Sequence, residues 1–170
     1  MNKTILRYGL LSGVIAALLM TLTALYYHNS TDFSGGEVIG YAGILLSMLF
    51  VFLGVRAYRE QQEGRSFGFG KAFQAGILIT LISCVLYVVT WLVVYETLMP
   101  DFMDKFIEQS LTKLRASGAS EVVVQQEAAK MQEYKTMYEN PLIRAAMTFI
   151  EPFPVGLLVT LVSALILQRK

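Results

Sequence analysis

The chain is short of nearly everything from which reactive chemistry is built. Its 170 residues include one cysteine, one histidine, one tryptophan and four prolines. A lone cysteine, Cys84, closes no internal disulfide and completes no zinc pattern, so it reads as a small packing residue. The lone histidine, His28, has Asp32 and Glu37 nearby, but their spacing is not that of a metal site and suits a solvated loop. Ser12, Ser47, Ser83 and Ser163 have no histidine to activate them, which argues against a hydrolase triad. No metal, nucleotide or redox motif is present, and no cofactor or catalytic residue is expected. Charge is scarce too: 16% of residues are charged, against about 25% in an ordinary soluble domain. A net charge of +1 gives no field that would gather nucleic acid.

What the chain does have is apolar length. Stretches over roughly residues 8–27, 38–55, 72–95 and 142–167 each approach the ~20 apolar residues needed to cross a bilayer. The second and third are apolar on every face, which suits lipid or a bundle interior. The fold expected is all-α: an integral membrane four-helix bundle forming a single domain, with a polar helical insert over 96–141. The first stretch follows Lys3 and Arg7 and resembles a signal peptide, but no small-x-small cleavage site follows it. Tyr26–Tyr27 reads instead as an interfacial anchor of a retained helix.

Charge orients the bundle. Lys3 and Arg7 precede the first span; Arg56, Arg59, Arg65 and Lys71 lie between the second and third; Arg169 and Lys170 close the chain. The segment 28–37 has no Lys or Arg. The positive-inside rule places both termini in the cytoplasm and residues 96–141 in the periplasm. The four loop bases also offer contacts to anionic lipid headgroups.

The insert reads as two amphipathic helices. Asp101 is a candidate N-cap, and Met103, Ile107, Leu111 and Leu114 share a face. Ser117–Gly118 is a stop, Ser120 the next cap, and Val124, Ala128, Met131, Tyr134 and Tyr138 form the second stripe. Such an αα-hairpin either packs on itself as a cap, docks a partner or covers a ligand. Small residues recur every three or four positions in all four spans: Gly9, Gly13 and Ala17; Gly36, Gly40, Gly43 and Ser47; Ala72, Gly76 and Thr80; Gly156, Thr160 and Ala164. They permit close helix contact within the bundle, or across a homodimer.

Glu151 is the sharpest single residue. It stands in Ile150–Glu151–Pro152–Phe153–Pro154. A helix starting at Leu142 puts it about 13 Å deep, where a carboxylate is costly and implies a proton relay, an ion site or a partner for Arg144. Pro152 and Pro154 would then break the helix beside it, as in discontinuous transporter helices. The alternative starts the span at Phe153, lays 142–150 at the interface and leaves Glu151 near the headgroups, with Pro152 in a first turn where proline is tolerated. The run Phe67–Gly68–Phe69–Gly70–Lys71 lacks phosphate-loop spacing and reads as a tight turn whose phenylalanines sit at the interface.

The run from Phe67 to Phe73, then Gly76, the Leu98-Met99-Pro100-Asp101-Phe102 segment, and Pro154–Ala164 together resemble an uncharacterised membrane family, domain of unknown function 4199, widespread in Bacteroidetes. The resemblance covers nearly the whole chain. It implies a Gram-negative inner-membrane protein with no assigned activity and no catalytic residue to carry over. Its frequent neighbourhood with membrane glycosyltransferases implies an accessory role. Two functions are therefore expected to compete. One is a non-enzymatic accessory or scaffold subunit for a membrane partner such as a polyprenyl-lipid glycosyltransferase. The other is a small transporter or lipid-handling protein working through Glu151 and the proline break.

Overall fold

The computed structural model describes residues 2–30, 35–62 and 66–168. Among these residues seven α-helices follow one another: α1 (Lys3–Tyr27), α2 (Gly36–Glu60), α3 (Phe69–Thr97), α4 (Phe102–Ala116), α5 (Glu121–Glu139), α6 (Pro141–Ile150) and α7 (Pro152–Leu167). α1, α2, α3 and the pair α6–α7 are the four helices long and apolar enough to cross a membrane. This is the expected all-α membrane bundle, with helix ends extending a few residues beyond the apolar runs. The apolar side chains that stay exposed, among them Leu18, Leu22, Leu45, Leu49, Val85, Val89, Leu158 and Leu165, lie on these four helices and suit a lipid-facing belt.

Packing follows the small residues. α1 runs along α2 and α3, and α7 fills the remaining groove against α2 and α3. A Cβ on Gly13 would meet Leu86 at 2.5 Å, one on Gly76 would meet Thr160 at 2.8 Å, and one on Gly156 would meet Thr80 at 2.3 Å. With no hydrophobic force between helices in lipid, this close approach and the hydrogen bonds it allows hold the bundle. Ser12 Oγ donates to the Ser47 carbonyl at 2.8 Å and lies 2.9 Å from Ser83 Oγ, joining α1, α2 and α3. Thr80 and Thr160 hydroxyls meet at 3.1 Å between α3 and α7. The serines that the sequence leaves without a role are thus buried packing polars.

Three expectations change. Phe67 is only 1% exposed, packed on Tyr58 inside the core rather than anchored at the interface, because the chain turns inward before Gly68 caps α3. Tyr26 is 78% exposed as an anchor should be, but Tyr27 is buried with Ala24, Val94 and Met99. Asp101 makes no side-chain cap bond; its carboxylate reaches forward to Lys105 at 2.9 Å, which holds it below the usual carboxyl range.

Candidate functional site: a cavity beneath the hairpin

The fourth span bends at Glu151. Pro152 has no N–H to give the Thr148 carbonyl, and Pro154 none to give that of Ile150, so two rungs of the helix ladder are missing. Glu151 N–H bonds Thr148 O at 3.4 Å instead, and its backbone stays right-handed helical (φ −68°, ψ −58°), so the chain bends without reversing. Below the bend α7 packs on both α2 and α3. Above it α6 keeps to α3 and α5 and makes no extended contact with α2. The bundle is therefore tight on the loop side and splayed on the hairpin side.

The splay encloses a cavity of about 740 Å³. α1 and α2 wall one side with residues from Ala16 to Tyr27 and from Gly36 to Ile44. Tyr87 and Trp91 of α3, with Met147 and Glu151 of the fourth span, wall the other. The hairpin roofs it with Phe102, Met103, Phe106, Met131, Tyr134 and Tyr138. Gly40, which the sequence marks for close helix contact, lines this space instead, and a Cβ there would meet nothing within 4 Å. The small-residue stripe of α2 serves packing at Gly36, where a Cβ would lie 3.5 Å from Tyr27, and at Gly43 and Ser47, and makes room at Gly40.

Glu151 belongs to this cavity. Tyr87 Oη donates to Glu151 Oε2 at 3.1 Å. Along α3, Tyr87 is about 27 Å from Phe69 and about 15 Å from Thr97, so the carboxylate lies nearer the hairpin end of α3. α6 packs on α3, and Pro152 takes the first position of α7, as expected of a tolerated proline.

Arg144 is not the partner of Glu151. Its guanidinium is clamped to the Glu96 carboxylate, 4.1 Å from the centroid of the Tyr95 ring and 5.9 Å from that of Tyr138, and the residue is 3% exposed. Glu96 is thus half of an ion pair, although its side chain remains 63% exposed. The pair ties α6 to the last turn of α3. Trp91 Nε1 donates to Tyr138 Oη, and burial raises the Tyr138 phenol above its ordinary pKa. Lys135 reaches Asp104 within the hairpin, and Lys105 reaches the His28 carbonyl at 3.1 Å. The roof is pinned at three places: to α3, to α6 and to the end of α1. His28 itself bonds the Leu98 carbonyl through Nδ1. No cluster of metal-ligating side chains occurs among the described residues, and Asp32 lies outside them.

The basic residues stand at the opposite end. Arg56 is exposed and pairs with Glu60 at 3.1 Å; Arg59 is half-buried; Lys71 is exposed and reaches the Ser66 carbonyl at 3.3 Å. Arg65, Arg169 and Lys170 lie outside the described residues. Nothing brings Arg56, Arg59 or Lys71 near Glu151, so the described sequence candidates divide between the two ends of the bundle. The residues that sequence reasoning missed are Tyr87, Trp91, Tyr138 and Glu96. Only the interfacial preference of Trp and Tyr hints at them.

A protein-family model described as Protein of unknown function (DUF4199) matches residues 7–169. No curated protein and no solved structure matches the chain.

Proposed function

The chain belongs to this DUF4199 family, and from that membership, which assigns no activity, we propose a non-catalytic membrane protein that holds a lipid-like amphiphile in the cavity beneath its hairpin. One observation carries the reading. Among the described residues, a large opening lies between α2 and α6 on the hairpin side of an otherwise close-packed bundle, lined mostly by apolar side chains with Glu151 on its wall. Pockets that take small molecules are of this kind: concave, mostly apolar, a few hundred Å³, with a small number of placed polar groups. A gap between two spanning helices admits an acyl chain sideways from the bilayer without exposing it to water. The pinned hairpin shields the head of the molecule from the aqueous side. On the positive-inside reading this is the periplasmic side of an inner membrane.

The accessory-subunit reading keeps one observation in its favour. Val122 and Val123 are exposed at the start of α5, away from the cavity, and suit contact with a membrane partner. The two readings are compatible, because a scaffold can present a lipid to an enzyme.

The test is photo-crosslinking in native membranes with a phospholipid carrying a diazirine on its acyl chain. Wild-type protein is expected to take label at Met147 and Met131 as well as on the outer belt at Leu158 and Leu165. Gly40→Phe puts a ring into open space, and should cut cavity labelling several-fold while leaving belt labelling unchanged. Equal cavity labelling of both proteins would remove the lipid-holding role and leave the accessory role.

A further inference from the structure

The walls of the cavity carry one sign of charge. Glu37, Glu127 and Glu151 line it, and among its described lining residues there is no lysine, arginine or histidine. This is not a shortage of bases nearby. Lys130 meets Glu127 at 3.4 Å from the solvent side, Arg144 is engaged by Glu96, and Lys105 is held by Asp101 and the His28 carbonyl. These three cations are thus committed to partners, while Glu151 faces the space with a phenol hydrogen bond from Tyr87.

Aromatic rings complete the pattern. Tyr41, Tyr87, Trp91, Phe106, Tyr134 and Tyr138 are among those facing the cavity. The face of each ring is negative in its quadrupole, and a cation set against several faces and a carboxylate gains from all of them in a medium that screens little. An anionic head would meet the Glu37 and Glu151 carboxylates with no cation among the described lining residues to offset them. Methionines at positions 20, 99, 103, 131 and 147 line the same space, and their flexible, polarizable side chains adapt to varied apolar shapes.

We propose that the cavity selects amphiphiles whose head is a weakly hydrated cation, such as an alkylated ammonium or a delocalised onium group, with Glu151 and the faces of Tyr87 and Trp91 receiving the charge. This rests on the reading that the cavity holds a lipid-like molecule, and it adds the sign of the head. A weakly hydrated cation gives up little solvation on entering, so the carboxylate and ring faces need offset only a small cost.

The test compares two ions of one shape and opposite charge, tetraphenylphosphonium and tetraphenylborate. Both are titrated onto the full chain in an uncharged maltoside micelle. Trp91, the one tryptophan, reports occupancy by fluorescence, and equilibrium dialysis gives the affinity. Gly40→Phe measures, and allows subtraction of, partition into the micelle. Phosphonium is expected to bind at least about tenfold more tightly than borate, and Glu151→Gln to weaken it by about tenfold while leaving borate unchanged. The wild-type comparison stands without any variant if Glu151→Gln fails to fold. Borate binding as well as phosphonium, or phosphonium indifferent to a folded Glu151→Gln, overturns the charge selection and leaves the cavity reading intact. If neither ion, nor a neutral brominated lipid, distinguishes wild type from Gly40→Phe, both readings fall. Two sources can supply such a head. Displacement of phosphonium by a long-chain quaternary ammonium dissolved in the micelle assigns a membrane lipid; displacement only by a short, water-borne quaternary ammonium assigns a soluble cation.

Discussion

At the scale of residues, Arg144 shows how a charge is tolerated near the end of a spanning helix. It is held by three different things: a carboxylate on α3, the ring of Tyr95 beneath it and the ring of Tyr138 on the hairpin. The flat guanidinium can satisfy all three, and a lysine cannot stack in the same way. Arg144→Lys is therefore expected to lose about 1–2 kcal/mol of stability, and Arg144→Ala about 2–3 kcal/mol, since truncation also unpacks two rings. Glu96→Gln should cost less, about 1 kcal/mol, because Glu96 is largely exposed and water screens its side of the pair. Thermal unfolding in detergent reads the order. A lysine variant as stable as wild type would show that stacking contributes nothing here.

At the scale of elements, the glycines divide into two kinds that composition cannot tell apart. Gly156 lies against Thr80, so a methyl group there must force α3 and α7 apart; Gly40 faces open space. Gly156→Ala is expected to destabilise by about 1–3 kcal/mol. Gly40→Ala should be neutral or stabilise by up to about 1 kcal/mol through helix propensity alone. Equilibrium unfolding of the two variants in parallel tests the pair, and equal losses would mean that the splay between α2 and α6 is closed.

This division also marks how far the sequence could be read. Four spans and a hairpin were legible because apolar length and amphipathic spacing are local properties, visible in a window of twenty residues. The bend was legible at Pro152 and Pro154, for a missing N–H is a property of the residue itself. The cavity was not legible. Gly40 carries the spacing of a packing stripe, and only the departure of α6, set by a bend more than a hundred residues later, turns that position into a wall. The Glu96–Arg144 and Tyr87–Glu151 pairs were hidden for the same reason: they join residues 48 and 64 positions apart. Phe67 misled because a phenylalanine before a spanning helix suits an interface or a core equally well.

At the scale of the whole molecule, the two ends differ in kind. The loop end is close-packed and basic; the hairpin end is splayed, aromatic and roofed. Cys84 is buried, so the wild-type chain offers no reactive thiol on its surface. Gln126→Cys on the exposed face of α5 and Gln74→Cys near the start of α3 then report the two ends independently. A membrane-impermeant maleimide applied to intact spheroplasts is expected to label Gln126→Cys and to reach Gln74→Cys only after lysis. The reverse pattern would invert the bundle and put the cavity on the cytoplasmic side.

The serine node has a consequence for how the chain is made. Ser12, Ser47 and Ser83 complete their hydrogen bonds within α1, α2 and α3, which precede the hairpin in the chain. These helices can pair in the bilayer with the serine node complete, while the buried Thr80 hydroxyl waits for Thr160 of α7. α6 and α7 follow the hairpin in the chain and dock on a surface that α1, α2 and α3 already form. The cavity wall that Met147 and Glu151 supply is thus set in place after the opposite wall of α1 and α2 has formed.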